Sequence, residues 1–500
     1  MTLSAATPPE GTVRDWLDRR ADAGGVAVVF PETGEEIGWA ELRDLARATA
    51  CALTEQGLAK SESVAIMHPN GRAALICLYG ALYGGFRATM INLAAGPDAM
   101  AYALEHSEAR VAFVHEGQLA AFEKLNLSTK ITPMTPARDP AGQDVALHDL
   151  SAEDHALLMY TSGTTGRPKG VVHTHASLLA GGWTTAVAHR LGAGDRGFCV
   201  LPICHINGLC VTVMGSLVSG GSLAMVSKFS ASKFWDQADG GGCTWFSVVP
   251  TIISHLLHGD IEPAPACRAR LRFGRSASSA LAVETQSAFE SRFDVPIVET
   301  MGLTETAAQI LSNPLPPAPR KIGSPGTAYG CEVAIQDGDG AELPRETEGE
   351  IVVRGPNVML EYLKNAEATE ATFRDGWLRT GDLGRMDADG FVFVTGRLKE
   401  LIIKGGENIA PREIDEALYA HPDVVEAAAF ARPCTSYGER VEAAVALREG
   451  VSLVSDDLVA FCAERLGKFK SPDTVHFLSE LPKGPSGKIQ RLKLAELIPT

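Results

Sequence analysis

The chain has 500 residues, of which 45% are hydrophobic, with a formal net charge of −16. That length exceeds one compact core and calls for two or more domains. The acidic balance excludes a non-specific nucleic-acid binder, which needs basic surface, but still admits a local basic site for an anionic ligand.

Residues 1–11 lack the charged and apolar segments of a signal peptide. The longest run free of charge and histidine, 206–227, carries Gly, Ser, Thr and Asn throughout. It reads as a buried strand–turn–helix rather than a membrane span. Ten cysteines without regular spacing fit reduced thiols and a cytoplasmic protein. Cys199, Cys204, His205 and Cys210 lie close together but match no common zinc spacing, so no metal site is expected there.

From residue 13 to 55 the pattern predicts a helix, a hairpin-like piece around residues 31–34, and a second helix over 39–55. A strand over 61–68, a helix over 70–83, a strand over 87–92, a helix over 98–107 and a strand over 111–114 follow. Pro97 and Asp98 suit a helix start. This alternation predicts an α/β fold with a mainly parallel sheet.

The stretch Thr161-Ser162-Gly163-Thr164-Thr165-Gly166-Arg167-Pro168-Lys169-Gly170 comes next. It follows a strand end and precedes 171–179, which reads as turning helical. Glycine permits the backbone angles that aim successive N–H groups at one anion, hydroxyls add donors, and Lys169 adds a full charge. The stretch reads as a loop for a polyphosphate. It is not the Walker A loop, because Gly170 rather than Ser or Thr follows Lys169.

Downstream, an apolar strand ends at Pro202, and His205, Asn207 and Gly208 lie just beyond it, where ligands gather in α/β sheets. A buried strand over 244–249 ends at Pro250, and a short helix over 251–258 follows. The segment 271–279 reads as a strand and a small-residue turn. Arg275 there has two readings. It is turned to solvent or paired with an acid such as Glu299, or it faces a pocket, where its fork suits a carboxylate or sulfonate. Residues 313–320 are too proline-rich for helix or central strand. Residues 330–360 form a small β region with a turn at Gly338-Asp339-Gly340. A junction falls at 394–402. A helix over 411–421 and short alternating elements then make a separate domain.

Five ordered segments carry a resemblance. They are 161–170, 201–208, Met301-Gly302-Leu303-Thr304-Glu305, Thr380-Gly381-Asp382-Leu383-Gly384 with Arg397, and Gly487-Lys488-Ile489-Gln490-Arg491. Together they resemble the adenylate-forming superfamily of acyl-CoA synthetases, free-standing adenylation domains and firefly-type luciferases, over roughly residues 30–492. In look the chain is most similar to ligases of small polar acids of the sulfoacetate and oxalate type.

The resemblance implies a large N-terminal AMP-binding domain, 1–398, with parallel-rich sheets and a β subdomain. A small mobile α+β domain, 399–500, follows. It implies ATP, Mg²⁺ and coenzyme A as cofactors, a small-molecule acid as substrate, and a monomer or homodimer. It places Thr161, Ser162, Gly163, Thr164, Thr165, Gly166 and Lys169 on the phosphates, and Ser276, Ser278 and Met301 against adenine, Met301 standing where Tyr is usual. Asp382 and Arg397 fall on the ribose or phosphate, Thr304 on the phosphate, and Glu305 with Thr161 on Mg²⁺. His205, Asn207, Gly208, Arg275 and Gly302 surround the acid, and His205, Thr304 and Glu305 stand with Lys488 as catalytic residues. Lys399 is the hinge, Lys404, Gly405 and Gly406 line the CoA tunnel after rotation, and Lys488 is the catalytic lysine. The function implied is an acid–thiol ligase. The alternatives are an enzyme loading a separate carrier protein and a catalytically silent nucleotide-binding regulator.

Overall fold

A computed structural model describes residues 6–140, 145–161, 168–484 and 489–498. The described residues form four sheets. The largest has nine strands, and its centre is parallel: Ile297–Leu303, Phe273–Ser276, Trp245–Val248, Arg196–Cys199, Ser222–Met225 and Val26–Phe30 lie side by side in that order. A seven-stranded sheet is built on Arg87–Met90, Ser63–Met67 and Val111–Val114, also parallel. Val26–Phe30 and Val111–Val114 are unbroken apolar runs, as parallel strands covered on both faces are.

An antiparallel sheet of Glu332–Gln336, Gly349–Arg354, Trp377–Met386 and Val392–Arg397 makes the β subdomain. The small domain carries its own core of Ile402, Ile414, Leu418, Val441 and Val475 around a fourth sheet. This is the expected α/β architecture of a large N-terminal and a small C-terminal domain. No helix among the described residues is long and apolar enough to cross a membrane.

Two expectations are corrected. Residues after the polyphosphate loop do not turn helical at once: Lys169–Thr174 is a strand pairing antiparallel with His155–Thr161. The β-branched run Val171, Val172, Thr174 favours it. Thr174 then caps the helix His175–Ala188 through a reciprocal bond with Ser177. The apolar run 206–227 has the reverse order, with a π-helix, Asn207–Met214, a short α-helix, Gly215–Ser219, and then the strand Ser222–Met225. Apolar content without periodicity does not separate the two orders.

Alternation along the central strands prepares the site. Phe246 faces a cluster with Phe234, Trp235 and Phe289, and Ser247 points to the other face. On the neighbouring strand a Cβ at Gly274 would lie 2.2 Å from Phe246 Cζ. Glycine therefore lets the ring lie flat across the strand, and Arg275 follows on Ser247's side.

Candidate active site

A cavity of about 270 Å³ lies between the two domains. The large domain contributes the loop Ser278–Ala282, the strand end Glu299–Gly302, Asp382 and Arg397. The small domain contributes Arg412, Asp415, Glu416, Ile489 and Arg491. The parallel strands Phe273–Ser276 and Ile297–Leu303 point their carboxyl ends here, the usual ligand position in such sheets. Ser276 is buried at its strand end, and Ser278 takes φ 77° to turn the chain along the cavity wall. Met301 and Gly302 line the same space. A Cβ at Gly302 would sit 1.5 Å from Ala308 O, so only glycine fits that hairpin.

Asp382 and Arg397 face each other across paired strands, with Arg397 Nε 2.6 Å from the carboxylate. Asp382 holds the Arg397 guanidinium charged and raises its pKa, and Glu305 adds to that field. Thr304 and Glu305 open a single 3₁₀ turn after strand Ile297–Leu303. The turn is fixed from outside. His173 Nε2 donates to Thr304 O at 2.7 Å, and Met359 N donates to Glu305 O at 2.8 Å. Burial pushes His173 down to about 4, so it serves as a neutral strut. Tyr362 donates its hydroxyl to Glu305 at 2.7 Å, and Lys169 Nζ sits 4.6 Å from the same ring's centroid. Thr161 pairs with Lys169 across the ladder. Glu305, a half-buried carboxylate, fits Mg²⁺, which takes one or two carboxylates and leaves its other positions to phosphate oxygens and water.

Arg275 is 1% exposed, and neither expected partner is in place. It is not turned to solvent, and Glu299 does not pair with it. Its Nη1 donates to Asn207 Oδ1 at 2.7 Å and to Ser247 Oγ at 3.1 Å, and its Nε donates to Gln309 Oε1 at 3.2 Å. Burial lowers its pKa to about 9, which leaves it charged at neutral pH. Among the described residues no carboxylate forms an ion pair with it. Asn207 in turn donates to Ser278 Oγ at 3.2 Å, and Ser278 lines the cavity. His205 sits half-buried on the turn before the π-helix. A Cβ at Gly208 would meet Pro202 O at 2.4 Å. Asn70 grips this turn from both sides, donating to Leu201 O and accepting from Ile203 N.

Glu299 instead accepts from Leu281 N at 3.1 Å, and its other oxygen is buried without a partner. Burial raises its carboxyl to about 7.

Lys399 is exposed on the turn after strand Val392–Arg397. Lys404 is buried in the small domain, donating to Phe469 O at 3.0 Å beside Asp473. Gly405 and Gly406 are exposed and away from the cavity. Ser162, Gly163, Thr164, Thr165, Gly166 and Lys488 lie outside the described residues. The chain flanking Lys488 is described. Gln490 N donates to Pro482 O at 2.7 Å, Lys483 pairs with Glu426 at 2.7 Å, and Arg491 binds Asp415, Glu400 and Ala429 O. Ile489, next to Lys488, lines the cavity.

Reading the sequence alone misses Tyr362, Ser247 and Gln309. Ser247 leaves a signal, a lone polar side chain within an apolar strand, and Gln309 a weaker one, since Ser312 shares its strand. Tyr362 leaves none.

Two unequal α/β domains closing on one cleft define the class of adenylate-forming enzymes. The chain belongs to the AMP-binding enzyme family, whose model matches residues 15–363, and the AMP-binding enzyme C-terminal domain matches residues 413–488. It is 44% identical over 479 residues to a sulfoacetate–CoA ligase of Cupriavidus necator, covering 93% of this chain and 94% of that protein. It is 35% identical to an oxalate–CoA ligase of Arabidopsis thaliana, covering 91% and 92% of the two chains. The crystal structure of ATP-bound MatB from Rhodopseudomonas palustris superposes with a TM-score of 0.90 at 30% identity, covering 97% of this chain and 98% of that one. The expected family and fold class are borne out.

Proposed function

We propose that this enzyme is an ATP-dependent acid–thiol ligase that makes an acyl-CoA from a small acid bearing a second anionic group, such as sulfoacetate, oxalate or malonate. In the first half-reaction a carboxylate oxygen of the acid attacks the α-phosphorus of ATP. The α–β bond breaks, pyrophosphate leaves, and an acyl-adenylate forms. Both reactants are anionic, so the site must offset their repulsion. Lys169, Thr304 and the 161–166 segment serve the phosphates, and Lys488 serves the reacting centre. Glu305, braced by Tyr362, with Thr161 would hold Mg²⁺, which supplies positive charge at the phosphates when bound. Asp382 accepts from the ribose hydroxyls and Arg397 flanks it. Ser276, Ser278 and Met301 bound the adenine space.

In the second half-reaction a thiolate attacks the acyl carbon and AMP leaves. The domain boundary is proposed at 398/399, with rotation about Lys399. Ile489 at the cavity and Gly405 and Gly406 away from it support an adenylating arrangement here. Rotation then exchanges the faces, and one pocket serves both steps. All ten cysteines are free thiols, which supports a reducing cytoplasmic setting.

The observation that carries the choice of acid is Arg275, a buried cation surrounded by neutral partners. Burying a charge without a counter-ion is costly, and an anionic substrate group supplies the missing partner. The similarity to sulfoacetate–CoA and oxalate–CoA ligases supports the same reading. The test is pyrophosphate release with Mg-ATP and CoA across acetate, butyrate, benzoate, oxalate, malonate, succinate and sulfoacetate. Turnover concentrated on the dianions, and lost on Arg275→Ala, is expected. Preference for butyrate or benzoate overturns the choice of acid. Release of AMP without dependence on CoA overturns the choice of thiol.

A further inference from the structure

Every side chain bonded to Arg275 is neutral: Asn207, Ser247 and Gln309. Behind it lies His189, fully buried, kept uncharged by that burial and by the Arg275 charge itself. The nearby Cys210 thiol is also held protonated by burial. Gln309 is the member of this group that meets Arg275 at Nε, whereas Asn207 and Ser247 share Nη1. It is fully buried on strand Ala308–Ser312, and its Nε2 donates to Thr184 O on helix His175–Ala188 at 3.4 Å. That bond turns its Oε1 toward Arg275 Nε. The Nε and Nη1 nitrogens of the guanidinium are thereby occupied, and Nη2 makes no hydrogen bond among the described residues. Arg275 is linked to the cavity wall through Asn207, which donates to Ser278 Oγ.

We propose that Gln309 sets the charge preference of the acid pocket, by orienting Arg275 with a neutral amide that leaves the cation uncompensated for the substrate. This rests on the reading of Arg275 as the residue facing the second anionic group. Gln309 is a positioning residue. Its carbonyl oxygen fixes the guanidinium plane without cancelling its charge, and a carboxylate at the same position would do both. A side chain differing from Gln by one heavy-atom exchange therefore converts a pocket for dianions into a pocket for monoanions.

The experiment compares kcat/KM for sulfoacetate with that for 3,3-dimethylbutanoate, which has a similar shape and a single charge. The wild-type enzyme is expected to prefer sulfoacetate. In Gln309→Glu the ratio falls by about a hundredfold, as expected when a buried charge pair is internally satisfied. The change lies in KM for sulfoacetate, with KM for ATP unmoved. Gln309→Met, which removes the amide without adding charge, keeps the sulfoacetate preference within about tenfold of wild type. If Gln309→Glu does not fold, Ser247→Asp presents a carboxylate to Nη1 and carries the same expectation. A ratio within about threefold of wild type in the acidic variant overturns the inference, as does an equal loss in Gln309→Met. A wild-type ratio that already favours 3,3-dimethylbutanoate overturns the choice of acid itself and this inference with it. A wild-type preference that Arg275→Ala abolishes but the acidic variants leave intact overturns this inference alone.

Discussion

Tyr362 donates to the Glu305 carboxylate at 2.7 Å while Lys169 lies over the face of the same ring. One aromatic side chain thus fixes an anion through its edge and a cation through its face. A hydrogen bond to a charged group contributes about 1.5–3 kcal/mol, and the ring–lysine contact about 0.5–2 kcal/mol. Tyr362→Phe keeps the second contact and removes the first. The apparent Mg²⁺ requirement for pyrophosphate release should rise by roughly tenfold, with the fold unchanged by circular dichroism. An unchanged Mg²⁺ titration would show that Glu305 needs no brace.

Glu299 gives a pH prediction with a definite sign. Its carboxyl has a pKa of about 7 in the folded chain against an ordinary value of 4.5. The folded state therefore holds a proton that the unfolded state has released across that interval. The associated stability is full below the unfolded value and is lost as the pH rises through about 7. Glu299→Gln keeps an acceptor for Leu281 N and removes the ionisation. The variant should be more stable than wild type at pH 8.5 by about 3 kcal/mol and nearly equal to it at pH 5. Denaturant melts at the two pH values decide this, and an equal difference at both would refute it.

Gly302 tests the hairpin that ends at the Thr304–Glu305 turn. The atom a Cβ would meet is the backbone oxygen Ala308 O at 1.5 Å, and no side chain can move aside. Gly302→Ala should cost more than about 3 kcal/mol and lower the melting temperature sharply. Gly390→Ala is the contrast. It has open space at its Cβ but φ 86°, and it should cost only about 1 kcal/mol.

Lys488 separates the half-reactions. Lys488→Ala should abolish pyrophosphate release, while thioester formation from supplied acyl-adenylate and CoA continues. Loss of both steps to the same degree would remove the proposed division of labour. Arg491→Ala provides the structural counterpart. It strips the partner of Asp415 and Glu400 and should destabilise the small domain by about 3–5 kcal/mol, with both half-reactions weakened.

What the sequence made legible follows from how local each cause was. The helix Trp39–Glu55 is legible to its ends because its apolar stripe and flanking glycines are local. The motifs at 301–305, 380–384 and 397 were likewise visible as strings, and the fold brings Met301, Gly302, Asp382 and Arg397 to one cavity. The stretch 171–179 reads as turning helical in sequence because the partner ladder that makes Lys169–Thr174 a strand is tertiary information. Tyr362 was invisible because its place depends on pairing with Val171, almost two hundred residues away. The sequence leaves Arg275 with two readings, because its surroundings come from two other strands and the start of a helix. Ser247, Gln309 and Asn207 lie far from it in the chain, and only the fold brings them together.

The pairing of Thr161 with Lys169 has a consequence for how this protein can change. Strand register has a period of two, so a single-residue slip within either strand would turn Lys169 to the opposite face of the sheet. The two strands therefore constrain the polyphosphate site as firmly as the side chains between them: an odd insertion or deletion within either strand would carry the lysine away from the face it now presents, even with every residue of the intervening segment unchanged.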